Sequence, residues 1–242
     1  MNDSIQDVMI DKVLFLDIET VPQYPNYNSI PDDLPFKELW KKKAEKINKE
    51  ENFSAEKIYD RAGIYAEFGK IICISAGYIN ASENEFRVKS FYGDNEKILL
   101  EEFAEMLNRA YSSPSKLLCA HNGKEFDFPY IARRMLINGV KLPSILQMAG
   151  KKPWQIPHLD TMELWKFGDF KNYTSLELLS ACFGIPTPKD DIKGSDVYRV
   201  YYEENDLERI VTYCQKDAFT VAQLLLRLLG KDIIPPENLK II

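Results

Sequence analysis

Asp17 and Glu19 stand two residues apart, directly after the apolar run Val13-Leu14-Phe15-Leu16. A run that short and continuous reads as a buried strand. Side chains alternate along a strand, so both carboxylates project from one face, about 6.6 Å apart along the chain. Two carboxylates beside buried apolar residues are costly unless something positive sits between them. A divalent cation is the compact solution, and oxygen ligands suit magnesium or manganese. Taken alone, the pair also fits a solvated strand end or a helix cap.

Three further residues could join them. Asp127 falls in the first turn of an expected helix, where the helix dipole favours an acid. Tyr213 and Asp217 lie four apart in the last expected helix and share a face. They run, with Thr220, beside an apolar stripe through Leu207, Ile210, Val211, Cys214, Ala218, Val221 and Leu225. Each has a bland explanation alone. Together, Asp17, Glu19, Asp127 and Asp217 are acids at strand or helix ends, where loops from one sheet can converge.

The elements that must position them follow from periodicity and punctuation. Strands are expected at Val13–Thr20, Lys70–Tyr78, Glu85–Phe91 and Lys116–Ala120. Pro22, Pro25, Pro31 and Pro35 mark a loop. Residues 36–60, rich in Lys and Glu, suggest a solvated helix. Asp94 is the expected cap of a helix to about Tyr111, with Ile98, Phe103, Leu107 and Ala110 inward. A helix from about Phe126 to Asn138 stops at Gly139. Residues 141–157 read as loop. Thr174-Ser175-Leu176-Glu177 has the capping-box pattern for a helix ending at Gly184. Asn205 and Glu208 cap the final helix in the same way, and it continues to Leu229. Early neighbouring strands imply an antiparallel part and strand–helix units a parallel part, so a mixed α/β sheet flanked by helices is expected. One domain over 1–242 is expected, with about 36–60 a helical insert.

Composition narrows the function. The chain has 242 residues, 45% hydrophobic and 28% charged, as in ordinary globular proteins. A net charge of −6 argues against a protein that coats nucleic acid nonspecifically, but not against an enzyme gripping a strand end. No signal-peptide or membrane-span pattern is present, and a cytoplasmic location is expected. The four cysteines show no Cys-x-x-Cys spacing and read as buried reduced thiols.

Three blocks then carry a resemblance: Leu16-Asp17-Ile18-Glu19-Thr20, His121-Asn122-Gly123-Lys124-Glu125-Phe126-Asp127, and Tyr213-Cys214-Gln215-Lys216-Asp217. In this order they resemble the DEDD superfamily of exonucleases. One branch has a histidine five residues before the last Asp; here that position is Thr212. Tyr213 looks like the tyrosine (DEDDy) branch, which family B DNA polymerases carry as a proofreading domain. Ala66-Glu67-Phe68-Gly69-Lys70-Ile71, His158-Leu159-Asp160-Thr161 and Asp191-Ile192-Lys193-Gly194-Ser195-Asp196-Val197 are similar to its stand-alone bacterial relatives. The likeness runs from about Val13 to Leu229. The Lys-rich stretch after Trp40 departs from it or is variable there.

The resemblance implies a ribonuclease-H-like fold with a five-stranded sheet and metal-dependent 3′→5′ exonuclease chemistry on DNA ends. It implies two divalent cations, Mg2+ or Mn2+: one on Asp17, Glu19 and Asp217, the other on Asp17 with Asp127. Tyr213 would orient the attacking water, since a phenol is protonated at neutral pH. Thr20 and Asn122 are the expected contacts to the terminal nucleotide, and Phe126 either stacks on a base or packs in the core. His121 reads as structural and His158 as an exposed loop residue or a functional one. Lys189 and Lys193 could meet phosphates. The expected partner is a single-stranded DNA 3′ end, with a polymerase or repair partner open. The alternatives are an exoribonuclease for short RNA and a catalytically silent nucleic-acid-binding module.

Overall fold

The computed structural model describes residues 8–47, 54–169, 173–186 and 192–242. Strand β1 (Val13–Pro22) is longer than expected and runs through both acids. After it, α1 (Phe36–Ile47) precedes the hairpin of β2 (Gly69–Asn80) and β3 (Glu85–Tyr92). Then come α2 (Glu96–Ala110), β4 (Leu117–Ala120), α3 (Asp127–Ile137), β5 (Leu159–Asp160) and α4 (Thr161–Lys166). The chain finishes with α5 (Leu176–Phe183), α6 (Val197–Arg199), a π-helical turn (Val200–Glu204), α7 (Leu207–Leu228) and β6 (Leu239–Ile241).

The sheet is mixed and has six strands, in the order β5-β4-β1-β2-β3-β6, not the five expected. β1–β2 and β2–β3 are antiparallel; β1–β4, β4–β5 and β3–β6 are parallel. The added β6 is a three-residue edge strand, half-exposed or exposed throughout, so no hydrophobic pattern marks it. Even positions of β1 (Leu14, Leu16, Ile18) pack with α2 and α3 through Leu100, Phe103, Phe128 and Ile131. Odd positions Val13 and Phe15 meet α7 through Phe219, Val221, Ala222 and Leu225. That alternation turns Asp17 and Glu19 toward α7.

Between Glu19 and Thr20 the β1–β2 register slips: Glu19 pairs with Cys73 and Thr20 with Ile71, leaving Ile72 extra. The bulge puts both Ile72 and Cys73 on the α7 side. Bulges are common beside functional sites because they re-aim side chains.

Several local expectations shift. α2 is capped by Asn95, whose Oδ1 accepts from the Ile98 amide (3.3 Å), while Asp94 accepts from the Tyr201 hydroxyl (2.6 Å). Ile98 and Ala110 are exposed; Leu99, Leu100, Phe103, Ala104 and Leu107 face inward. Ser175 caps α5 and Asp206 caps α7, each one residue later than expected. Asn205 is left-handed (φ 54°) and ends the π turn. Nor is α1 wholly solvated. Trp40 and Ala44 are buried, and Trp40 donates to the Ala55 carbonyl (2.8 Å) among Tyr59, Tyr65 and Phe68. Cys73, Cys119 and Cys214 are buried but Cys182 is exposed. Among the described residues no helix is long and apolar enough to cross a membrane.

Candidate active site

Asp17 and Glu19 lie under α7, whose Cys214 sits among them: one ligand-capable atom of each of the three lies within 4.8 Å of the others. The Cys214 thiol donates to the Asp17 backbone carbonyl (3.3 Å). Asp17 Oδ2 is buried and has no hydrogen-bond partner. A buried polar atom without a partner is costly and calls for an explanation.

Asp127 approaches from the other side of the strand. β4 pairs with β1 only as far as Phe15↔Cys119, so beyond it the β1 edge is open. There the Asp127 carboxylate takes the Ile18 N–H as well as its own. Those bonds hold it between Asp17 and Glu19 in chain position and favour its charged form. Burial outweighs them and, with help from the Asp160 charge, pushes its pKa up to about 7.

The charges feel one another. Burial first, then the Glu19, Asp217 and Asp127 charges, hold the Asp17 carboxyl well above the usual range. Burial, then Asp217, Cys73 and Asp127, do the same to Glu19. Tyr213 is also pushed up, by burial and by the Asp217, Glu19 and Asp17 charges, and its hydroxyl donates to Asp217. A Cβ added to Gly194 would stand 4.0 Å from that hydroxyl, so the 192–196 loop passes over the tyrosine. Five of the residues singled out by spacing thus converge on one place. An orphaned carboxylate oxygen inside a set of mutually repelling acids fits a divalent cation, and the donors Asp17, Glu19, Asp127 and Asp217 could hold it.

The remaining sequence candidates support the site more than they face it. Thr20 hydrogen-bonds the Tyr130 phenol, which donates to the Gly63 carbonyl (2.6 Å). Asn122 is left-handed (φ 63°) and its carbonyl accepts from Phe126 (2.9 Å), closing the β4–α3 turn. Phe126 is half-buried against the core, 5.3 Å from the Tyr130 ring centre. Gly123 is obligatory: a Cβ there would lie 2.5 Å from Ala120 Cβ and 2.9 Å from Phe128 Cζ. His121 bonds Thr161 Oγ1 and the Thr174 carbonyl, both at 2.9 Å. His158 is neither exposed nor at the site. Its Nδ1 accepts from the Leu118 amide (3.3 Å), so Nε2 donates to Ile145 (2.8 Å), and burial lowers its pKa to about 4. Lys193 is exposed; Lys189 lies outside the described residues.

Asp160 is the residue whose role spacing did not reveal. Its buried carboxylate caps α4 through the Met162 and Glu163 amides and also accepts from Asn122 (2.9 Å) and Lys124 (3.0 Å). It therefore ties β5 to the turn that delivers Asp127. Asp160→Asn keeps an acceptor for three of these amides and sets an NH2 group against the Lys124 amide. We expect turnover to fall, on the order of 10²-fold at most for a displacement of about 1 Å, with KM changing less than kcat. Steady-state kinetics would show it; unchanged kcat would leave Asp160 a helix cap only.

A groove of about 700 Å³ lies on the opposite face, lined by Leu14, Tyr78, Arg87, Met106 and Tyr111 among others. Its walls carry charges of both signs and none of the converging acids.

A mixed sheet covered by helices, with acids gathered at the open edge of its central strand, places the chain among ribonuclease-H-like α/β proteins. Residues 64–230 match the family described as "Predicted 3'-5' exonuclease related to the exonuclease domain of PolB", and the chain belongs to that family. The matched stretch contains Asp127, Tyr213 and Asp217. Asp17 and Glu19 precede it, and it is the pairing of β1 with β2 and β4 that brings them to the other three.

Proposed function

We propose that this chain hydrolyses phosphodiester bonds at DNA 3′ ends and releases nucleoside 5′-monophosphates with the help of two divalent cations, Mg2+ or Mn2+. The observation that carries the reading is the buried, partnerless Asp17 Oδ2 set among Glu19, Asp127 and Asp217. The relation to the PolB exonuclease domain supports DNA as substrate. Asp17, Glu19 and Asp217 would hold one cation, and Asp17 with Asp127 the other. When bound, such a pair neutralises charge on the leaving oxygen and makes water acidic enough to attack in line.

The chain's own groups then have defined tasks. Asp127 is anchored by the Ile18 N–H and by its own, which hold its carboxylate beside β1. Tyr213 stays protonated, because burial and three neighbouring acids oppose phenolate. Its hydroxyl can orient a water but not take its proton. Thr20 and Asn122 would contact the terminal nucleotide, and Phe126 would either stack on its base or keep to the core packing it has against Tyr130.

Tyr213→Phe should slow turnover roughly 10- to 100-fold, as loss of an orienting contact does, while Mn2+ affinity measured by calorimetry stays within a factor of about two. A parallel loss of Mn2+ binding would make the tyrosine structural. The whole reading is tested by digesting matched single- and double-stranded DNA and RNA labelled at the 5′ end, with and without Mg2+ or Mn2+, and with Asp17→Ala as control. Stepwise shortening of DNA that needs the cation and Asp17 is expected. Faster digestion of RNA would replace DNA as the substrate, and binding without cleavage in Mn2+ would make the chain a binding module.

A further inference from the structure

Phe167 breaks a local rule. It ends α4 in the left-handed conformation (φ 44°, ψ 36°), and Gly168 after it is also at positive φ (89°). Glycine adopts that conformation freely, whereas a bulky residue does so at a cost. The ring is also 85% exposed. Neither backbone preference nor burial explains a phenylalanine here, and strain of this kind in an exposed position points to a function.

Its surroundings say which. The Trp165 ring stands edge-on to Phe167 (6.4 Å between centres, 71°) and rests in turn on Phe183 (5.5 Å), so Phe167 is braced, not adrift. On the same rim Tyr173 is 62% exposed, with Lys166 Nζ 4.2 Å from its ring centre. The rim adjoins the acidic site through His121, which bonds the first residue of α4 and the residue after Tyr173, and is itself followed by Asn122.

We infer that this α4–α5 rim is a stacking platform for a single-stranded nucleic acid running back from its 3′ end in the acidic site. Exposed aromatic faces beside a lysine suit bases and phosphates in alternation, and the stacking is sequence-tolerant. A protein partner would draw on a continuous apolar patch, whereas here each exposed ring has a polar or cationic neighbour along the chain. The inference rests on the nuclease reading for the direction of the strand, but its measurement does not need cleavage.

The test is fluorescence anisotropy with labelled oligothymidylates of about 4 to about 16 nucleotides, in EDTA so that no strand is cut. Phe167→Ala and Tyr173→Ala should each weaken the longer oligonucleotides about 10-fold and leave the shortest unchanged. Lys166→Ala should reduce the salt dependence by roughly one released counterion. Phe167→Gly separates binding from folding: it relieves the left-handed strain, so its Tm should equal or exceed that of the wild type while affinity still falls about 10-fold. Wild-type affinity in Phe167→Gly would overturn the inference. So would unchanged oligonucleotide binding with a loss of self-association by light scattering, which would make the rim a protein interface. Hydrolysis in Mn2+ is scored separately. Weakened binding without any hydrolysis would sustain the platform and remove the nuclease reading; hydrolysis with unaltered binding would do the reverse.

Discussion

Asp17→Asn is expected to abolish hydrolysis and, in cation-free buffer at neutral pH, to raise the melting temperature. The two effects have one cause. In the folded chain Asp17 is held well above its usual pKa by burial and by Glu19, Asp217 and Asp127. Asp127 is pushed up to about 7 from 3.8. A group whose folded pKa exceeds its unfolded one binds more protons when folded, so its stabilising contribution is complete below the unfolded pKa and lost as pH rises through the folded one. The cation-free protein should therefore lose stability between about pH 4 and about pH 7. Asparagine removes one charge from the cluster without changing its shape, and the Cys214 bond to the Asp17 backbone survives. Allowing for relaxation and water entry, a gain of about 2 kcal/mol is expected, roughly 4–8 °C for a chain of this size. Saturating Mn2+ should stabilise the wild type and not the variant. Calorimetry across pH in EDTA and in Mn2+ reads all of this. A variant that melts lower than wild type in EDTA would mean that the acids are not an unrelieved cluster.

That cluster was legible to the extent that it is local. Period two along β1 puts Asp17 with Glu19, and period 3.6 along α7 puts Tyr213 with Asp217; neither needs a partner to be read. What brings the pairs together is nonlocal. β4 stops opposite Phe15, which frees the Ile18 N–H for Asp127, and no pattern in either segment encodes where that pairing ends. Asp160 and His158 were visible as a motif but not as functions, because their work is done on backbone amides, which carry no sequence signal. The helix caps were misplaced by one residue for a related reason. Asp94 and Asn205 are good caps by type, but the tertiary structure uses Asp94 for Tyr201 and turns Asn205 left-handed. Trp40 shows the converse: a helix of mixed charges hides a buried anchor, since one tryptophan can bury a short helix that its neighbours mark as solvated.

The largest expected loss of stability comes from Arg134→Met. Arg134 on α3 and Glu96 at the start of α2 form a buried ion pair, Nε to Oε1 at 2.8 Å. Each charge has more to satisfy than the other supplies. Glu96 also accepts from the Ile71 amide (2.7 Å) and Asn138 (2.9 Å), and Arg134 also donates to the Ala66 carbonyl (2.8 Å). Removing the guanidinium leaves a buried carboxylate with amide donors but no counter-charge, for a cost of about 3–5 kcal/mol. That corresponds to roughly 6–20 °C. Glu96→Gln in the same chain removes the stranded charge while keeping an acceptor for Ile71, so the double variant should be more stable than Arg134→Met alone. Urea denaturation of the wild type, both single variants and the double variant gives the coupling; additive losses would show that the two charges are not a pair. The site should feel the break as well. Ile71 lies opposite Thr20, next to the bulge beside Glu19, and α3 begins with Asp127. Through the Glu96 bond to the Ile71 amide the ion pair therefore ties α3, which carries Asp127, to the strand segment beside Thr20 and the bulge, and at temperatures below unfolding Arg134→Met should weaken Mn2+ binding without touching any residue that would hold it.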